Sequence, residues 1–339
     1  MKYVDKSKNL KKIQQKELEI LKYFDNFCNK NNLEYYMAYG TLLGAVRHKG
    51  FIPWDDDVDM HMLGKDYLKL INLLKDNQDE KYFFQSLETE ENYYLLWNKI
   101  RINNTILIEK GWEENKIHQG ISLDIFPLID YPDNEKDKRK IDRIFKISKL
   151  LVDCNMKENK NYKSYGKSGK ILSKLFKLIP QKIRNKKVIN NIKYLCNYKS
   201  NSKYYFSTIR GTTKKYSKDC FEKQIALNFE EEKFIAPKKY DKYLSEVYGD
   251  YMKLPEEKER IGHLSLTKRE VFLALYKAKQ ITPDILKEQI TDPEALIEIE
   301  YANEYYRGNP LIDAIGAKLG ITSEQLDKFF ETNDYTQLL

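Results

Sequence analysis

Long apolar runs are missing from this sequence. No stretch approaches the ~18 consecutive apolar residues that a membrane-spanning helix needs, so an integral helical membrane protein is not expected. The opening residues, MKYVDKSKNLKK, lack the apolar segment of a secretory leader. Cysteine is scarce. Cys28, Cys154, Cys196 and Cys220 lie far apart without a Cys-x-x-Cys pair, which argues against a disulfide or zinc framework and for reduced thiols in a cytoplasmic protein. No RNA- or DNA-binding motif accompanies the tyrosines scattered among the lysines (Tyr162, Tyr165, Tyr194, Tyr198, Tyr204, Tyr205), so nucleic acid is not an expected partner.

What is present is a globular composition, 41% hydrophobic over 339 residues, long enough for one large domain with an appendage or for two domains. The net charge of +8 conceals an asymmetry. Residues 136–220 hold 25 Lys and Arg against 5 Asp and Glu, whereas residues 280–339 hold 4 against 12. The basic middle and the acidic tail need separate explanations.

The densest chemistry lies in Tyr35 to Met60, YYMAYGTLLGAVRHKGFIPWDDDVDM. Alternation from Tyr35 to Tyr39 predicts a strand, Gly40-Thr41 a tight turn, and Leu42 to Arg47 a short helix whose N-terminus would offer backbone N–H groups to an anion. Asp55, Asp56, Asp57 and Asp59 follow among Ile52, Pro53, Trp54, Val58 and Met60, too apolar a setting for a plain solvated turn. On a strand Asp57 and Asp59 would share a face. Neighbouring carboxylates repel unless a cation lies between them, and oxygen ligands of this kind suit Mg2+ or Mn2+ held together with substrate phosphates.

The rest of the chain is ordered around that stretch. Residues 6–32 and 64–77 have the spacing of amphipathic helices. Strand-like pieces run over 82–85, 94–101 and 105–109. In Gly120 to Ile129, Asp124 stands among Ile121, Leu123, Ile125 and Phe126. It is either an edge aspartate facing water or a third carboxylate of the same site. Lys99 and Arg101 fall on one strand face and, with Arg47 and His48, are candidates to hold phosphates. Tyr131 to Asn134 signals a turn, and 141–151 a helix. Lys170 to Ile183 reads as a Lys-faced apolar helix stopped by Pro180, either packed on the core or lying at an anionic membrane surface. Tyr240 to Tyr251 is helical, ending at Gly249. His263, near Arg260 after a proline-marked loop, is a further candidate for phosphate or substrate contact. Residues 268–339 read as a helical appendage for packing or self-association, with Thr322 or Ser323 capping its last helix.

A glycine turn before a helix, an Asp-x-Asp pair and a distant strand carboxylate suit phosphoryl or nucleotidyl transfer. The sequence also resembles the LicD family of the nucleotidyltransferase-fold superfamily, which includes bacterial phosphocholine transferases and human fukutin-related proteins. The resemblance rests on Tyr39-Gly40-Thr41-Leu42-Leu43-Gly44-Ala45-Val46-Arg47, Ile52-Pro53-Trp54-Asp55-Asp56-Asp57-Val58-Asp59, Asp124-Ile125-Phe126-Pro127-Leu128 and Tyr248-Gly249-Asp250-Tyr251 with Leu254-Pro255. It spans about residues 15 to 263 and nothing after Lys268.

It implies an α+β, polymerase-beta-like nucleotidyltransferase fold, a mixed sheet flanked by helices with a mostly helical C-terminal half. The expected division is a catalytic core over 1–132, a basic, mostly helical region over 133–267 that completes the site, and an acidic appendage over 268–339. The implied reaction is transfer of phosphocholine from CDP-choline to a sugar hydroxyl of a teichoic acid or similar precursor, with release of CMP. Gly40-Thr41 then matches the superfamily's Gly-Gly/Ser element, Asp57 and Asp59 its metal-binding pair, and Asp124 its third carboxylate. Asp124 would bind metal and help deprotonate the acceptor hydroxyl, while Asp55 and Asp56 would serve the turn or support the metal ligands from behind. Thr41 departs from the usual second glycine or serine, and Glu256 stands where a second proline is expected. The implied partners are a CDP-alcohol and a lipid-linked glycan, at the inner face of the cell membrane. Another CDP-linked phospho-alditol (ribitol or glycerol phosphate), a nucleotidyltransferase proper and a non-catalytic binding module are the competing readings.

Overall fold

Hydrophobic spacing carries directly into the order of elements in the computed structural model, which describes residues 6–76, 79–108, 115–156, 167–254, 264–302 and 304–339. They run α1 (Lys6–Lys30), β1 (Tyr36–Met37), α2 (Tyr39–Arg47), β2 (Asp59–Leu63), α3 (Gly64–Leu74), β3 (Tyr82–Gln85), β4 (Asn98–Ile102) and β5 (Ser122–Asp130). There follow α4 (Glu135–Asp153), α5 (Lys167–Lys177), α6 (Gln181–Asn197), β6 (Tyr204–Ser207), β7 (Gly211–Ser217), β8 (Gln224–Phe229), β9 (Glu232–Pro237) and α7 (Tyr240–Tyr248).

The two N-terminal amphipathic helices bury the faces their patterns predict. Ile13, Ile20, Leu21, Phe24 and Cys28 of α1 are buried, as are Tyr67, Leu70, Ile71 and Leu74 of α3. Asn134 caps α4 by accepting a hydrogen bond from the Asp137 N–H at 2.9 Å, which gives the Tyr131 to Asn134 turn its stop. Pro180 separates α5 from α6, since its ring has no N–H to continue a helix. Gly249 ends α7 with φ +74°, a conformation that costs glycine little.

The sheet is mixed, in the order β1-β2-β5-β4-β3. Its central member, β5, pairs parallel with β2 through Asp124–Leu128. The first half of β5 pairs antiparallel with β4, and its last three residues pair with β6, which carries β7 in turn. Parallel β2 and β5 are buried along most of their length, as strands covered on both faces are. A separate hairpin, β8–β9, packs on α2 and β1.

Several expectations are corrected. Gly40 and Thr41 do not form a turn ahead of the helix; they lie in the first turn of α2, and the preceding strand is only Tyr36–Met37. The described part of 105–109 is not a strand. Residues 133–267 do not stand apart from 1–132. They contribute four strands of the larger unit, and β6 and β7 complete the sheet that β5 begins. Those tyrosine- and lysine-rich strands are too polar on one face to show as apolar runs. The chain instead divides into a unit of Ile13–Tyr251 and one of Met252–Leu339 with Met1–Lys12.

The smaller unit has β10 (Ser265–Thr267) and β11 (Glu304–Tyr306) as an antiparallel pair. Around it are α8 (Lys268–Lys279), α9 (Pro283–Gln289), α10 (Pro293–Tyr301), α11 (Pro310–Lys318) and α12 (Ser323–Thr332). Thr322 caps α12 in a reciprocal box with Gln325. Its core gathers Leu266, Leu275, Ile299, Tyr305, Phe329 and Phe330. The buried Arg307 guanidinium is met by Asp313 at 2.9 Å and by Asp327.

Gly44 shows how tightly the larger unit is keyed. A Cβ there would run into the Gly50 carbonyl, backbone against backbone, where α2 abuts the aspartate-bearing loop. Gly44→Ala is expected to cost about 2 kcal/mol by overpacking, read from denaturant unfolding. An unchanged midpoint would show that the two segments are not in contact.

Candidate active site

Strand register sets three charges abreast. Asp59 of β2 lies opposite Asp124 of β5, and Asp124 lies opposite Lys99 of β4. Residues paired across a ladder project to the same face, so the three side chains form one row. The Lys99 ammonium bonds Asp124 Oδ1 at 2.6 Å, and Trp97 Nε1 donates to Asp124 Oδ2 at 3.0 Å. Both oxygens of Asp124 therefore have partners, and this carboxylate is neither an edge group facing water nor buried alone.

The loop between α2 and β2 brings up more carboxylates. Ladder pairing reaches back to Val58, whose carbonyl accepts from Asp124 N–H at 2.8 Å, so Asp57 stands just before the row. The loop is held from three sides. Gln14 of α1 donates to the Asp55 carbonyl at 2.9 Å. Glu230, at the tip of the β8–β9 hairpin, accepts from Phe51 N–H at 3.0 Å. The buried Thr41 hydroxyl accepts from Asp59 N–H at 2.8 Å and ties α2 to the start of β2.

Gly40 allows a close approach here: a side chain would displace the Asp55 carboxylate, with Asp57 next beyond. Tyr39, just before it, holds φ +41°, a conformation side chains rarely adopt. Its ring is fixed against His61 and Phe126, and its hydroxyl against that of Tyr216 at 2.8 Å.

Crowding sets the electrostatics. Burial, and after it the charge of Asp56, pushes Asp55 up to about 6. Asp57 keeps its outer edge in water, yet desolvation in the cleft and then Asp55 and Asp124 hold it above the ordinary carboxylate range. Asp59 is raised as well, by burial first and then by Asp57 and Asp124. Lys99 is the cation that opposes these shifts in both Asp57 and Asp59.

Other candidates fall elsewhere. Arg101 shares a face with Lys99 but is spent on structure: its Nη1 donates to the Gly120 carbonyl at 2.5 Å and its Nε to Gln85. It is buried, and its Nε and Nη1 serve these protein acceptors. Arg47 and His48 lie at the far end of α2, about 10 Å along the helix axis from Gly40. Arg47 donates to His48 Nε2 and to the Tyr251 carbonyl, both at 3.0 Å. His263 lies outside the described residues.

Two further residues belong with the site. Asp55, expected in the turn or as a support behind the metal ligands, abuts Gly40 and raises Asp57. Tyr248, the last residue of α7, has its phenol pushed upward by burial and then by Asp59, Asp55 and Asp57. The only signal for Tyr248 was its place in the Tyr-Gly-Asp-Tyr block, because spacing cannot show which strand a distant helix will face.

The donor set is all oxygen, and its crowded carboxylates are opposed by one lysine, which fits a hard divalent cation. Among the described residues no three His, Cys, Asp or Glu side chains already enclose one point. The fit is therefore that of an ion held by one or two carboxylates with substrate oxygens completing its shell.

A family model described as LicD/FKTN/FKRP, nucleotidyltransferase domain, matches residues 32–150, which contain the whole carboxylate row. The lipopolysaccharide cholinephosphotransferase LicD of Haemophilus influenzae is 31% identical over 260 residues, 73% of this chain and 92% of that protein. Uncharacterized proteins of Rickettsia prowazekii and Rickettsia typhi are 43% and 41% identical over 56 residues, 16% of this chain and 21% and 18% of theirs. Carboxylate site and relationship together define an enzyme of the phosphotransferase class. The chain belongs to the LicD family.

Raised carboxyl pKa values have a stability consequence of definite sign. A carboxyl that holds its proton more tightly folded than unfolded makes stability fall as pH rises, from the unfolded value of about 4 through about 6 for Asp55. In buffer free of divalent ions, the melting temperature should decline between about pH 4 and pH 6. Asp55→Asn should flatten that slope. A slope that Asp55→Asn leaves unchanged would remove Asp55 from the crowded set.

Proposed function

We propose that this enzyme transfers phosphocholine from CDP-choline to a sugar hydroxyl of a cell-surface polymer precursor, a teichoic acid or similar glycan, releasing CMP. The observation that carries the reading is the row Asp59–Asp124–Lys99 with Asp57 beside it, in a chain related over most of its length to a cholinephosphotransferase.

Asp57 and Asp59 would hold Mg2+ or Mn2+, which supplies charge neutralisation for the donor's pyrophosphate and its CMP leaving group. Asp124 keeps its position through Lys99 and Trp97, and we assign it the acceptor hydroxyl: its carboxylate accepts that proton as the oxygen attacks the phosphorus bearing choline. Lys99 limits the charge that builds up around Asp124 and would meet the donor's phosphate oxygens. The first turn of α2, at Gly40 and Thr41, presents helix N-terminal N–H groups beside the same cleft, where a phosphate is favoured. Arg47 and His48 are assigned to the rim of the donor site.

No helix among the described residues is long and apolar enough to cross a membrane. We place the enzyme at the inner face of the cell membrane, in peripheral contact with it, where a lipid-linked acceptor would be presented.

A screen of CDP-choline, CDP-ribitol and CDP-glycerol with Mg2+ or Mn2+, following released CMP, tests the reading. CMP release from CDP-choline is expected. Pyrophosphate release from a nucleoside triphosphate instead would mark a nucleotidyltransferase. Asp59→Asn should lower turnover roughly 10³-fold while leaving the fold intact. Near wild-type turnover in Asp57→Ala or Asp59→Ala would remove the metal assignment.

A further inference from the structure

Helix α5 is mounted with its larger apolar face outward. Ser173 is buried, where its carbonyl accepts from the Cys154 thiol at 3.6 Å, and Phe176 packs partly against the main core. On the opposite side Ile171, Leu175 and Leu178, at i, i+4 and i+7, are 61%, 53% and 80% exposed. Leu172 widens the stripe, and Ile183 in the first turn of α6 continues it at 59% exposure. An ordinary surface helix turns its leucines to the core and its lysines to water. Here the core takes one serine and part of one phenylalanine.

The charge around the stripe says what it meets. Residues 167–199 hold ten Lys and Arg and no Asp or Glu. Lys174 flanks the stripe along α5, and Lys182, Lys186 and Lys187 are exposed along α6. Wide outward apolar side chains flanked on their own helices by lysines are the make-up of a helix lying in the plane of an anionic bilayer, leucines among the acyl chains and ammonium groups at the lipid phosphates.

We infer that α5 and the first turn of α6 form a membrane-docking element that seats the enzyme on an anionic lipid surface. This deepens the proposed function, on which its role in meeting a lipid-linked acceptor rests, but the docking itself needs neither donor nor acceptor.

The test is flotation of the full-length protein with phosphatidylcholine vesicles, with and without about one-third phosphatidylglycerol, at low salt and without substrates. Binding to anionic vesicles is expected to exceed that to neutral ones about tenfold and to weaken with salt. Leu175→Ser/Leu178→Ser should lose it while melting like the wild type, and Lys182→Glu/Lys187→Glu should lose the preference for anionic lipid. Wild-type protein that ignores anionic vesicles, or a serine double variant that binds them undiminished, overturns the inference. So does a wild-type dimer dispersed by the serine substitutions without vesicle binding, which would give the stripe to a second copy. CMP release with a water-soluble acceptor, unchanged in the serine double variant, separates the two readings. If it is absent from the wild type while docking holds, the proposed reaction falls and the docking element stands.

Discussion

Mutual repulsion among carboxylates is the constraint on which the larger unit depends. Asp55, Asp57, Asp59 and Asp124 are gathered at one end of β2 and β5, and Lys99 is the cation bonded among them. Left to itself such a cluster would push the loop away into water. It stays because α2, α1 and the β8–β9 hairpin each grip the loop by backbone or side-chain hydrogen bonds. The stability given up at the cluster is the means by which the site attracts positive charge, and the surrounding framework supplies the difference.

That arrangement explains why basic residues that look equivalent in sequence differ in fate. Lys99 and Arg101 are two residues apart on one strand, yet Lys99 meets Asp124 whereas Arg101 meets Gln85 and the Gly120 carbonyl. The difference arises from what lies across the ladder. Lys99 is opposite a carboxylate, Arg101 opposite Ser122, and a guanidinium with five donors takes the nearest acceptors that satisfy its fork. Similarly, Thr41 serves first as a clasp on Asp59, so its place in the first turn of α2 has a structural purpose independent of any ligand.

The larger unit also shows function spread over segments far apart in the chain. The carboxylates lie before residue 125, but part of the grip on their loop comes from Glu230, and Tyr248 at the end of α7 feels their charge. The basic middle both extends the sheet through β6 and β7 and carries the outward apolar stripe of α5. An enzyme built this way can keep its chemistry at the ends of its central strands while a separate helix carries an outward apolar stripe.

What the sequence by itself determined was the local and the periodic. The faces of α1 and α3, the stop at Pro180, the cap at Thr322 and the Asp-x-Asp motif were legible, because helical spacing, proline geometry and capping chemistry act between near neighbours. Asp124 was legible as an oddity, a charge in an apolar strand, and the long motif blocks tied it to the same site. Tertiary structure alone decided the rest. Register placed Asp124 between Asp59 and Lys99, long-range packing brought in Asp55 and Tyr248, and the small Ser173–Phe176 face determined which side of α5 looks outward. The strands of the basic middle belong there too, since a polar strand reveals itself only through the partner it pairs with.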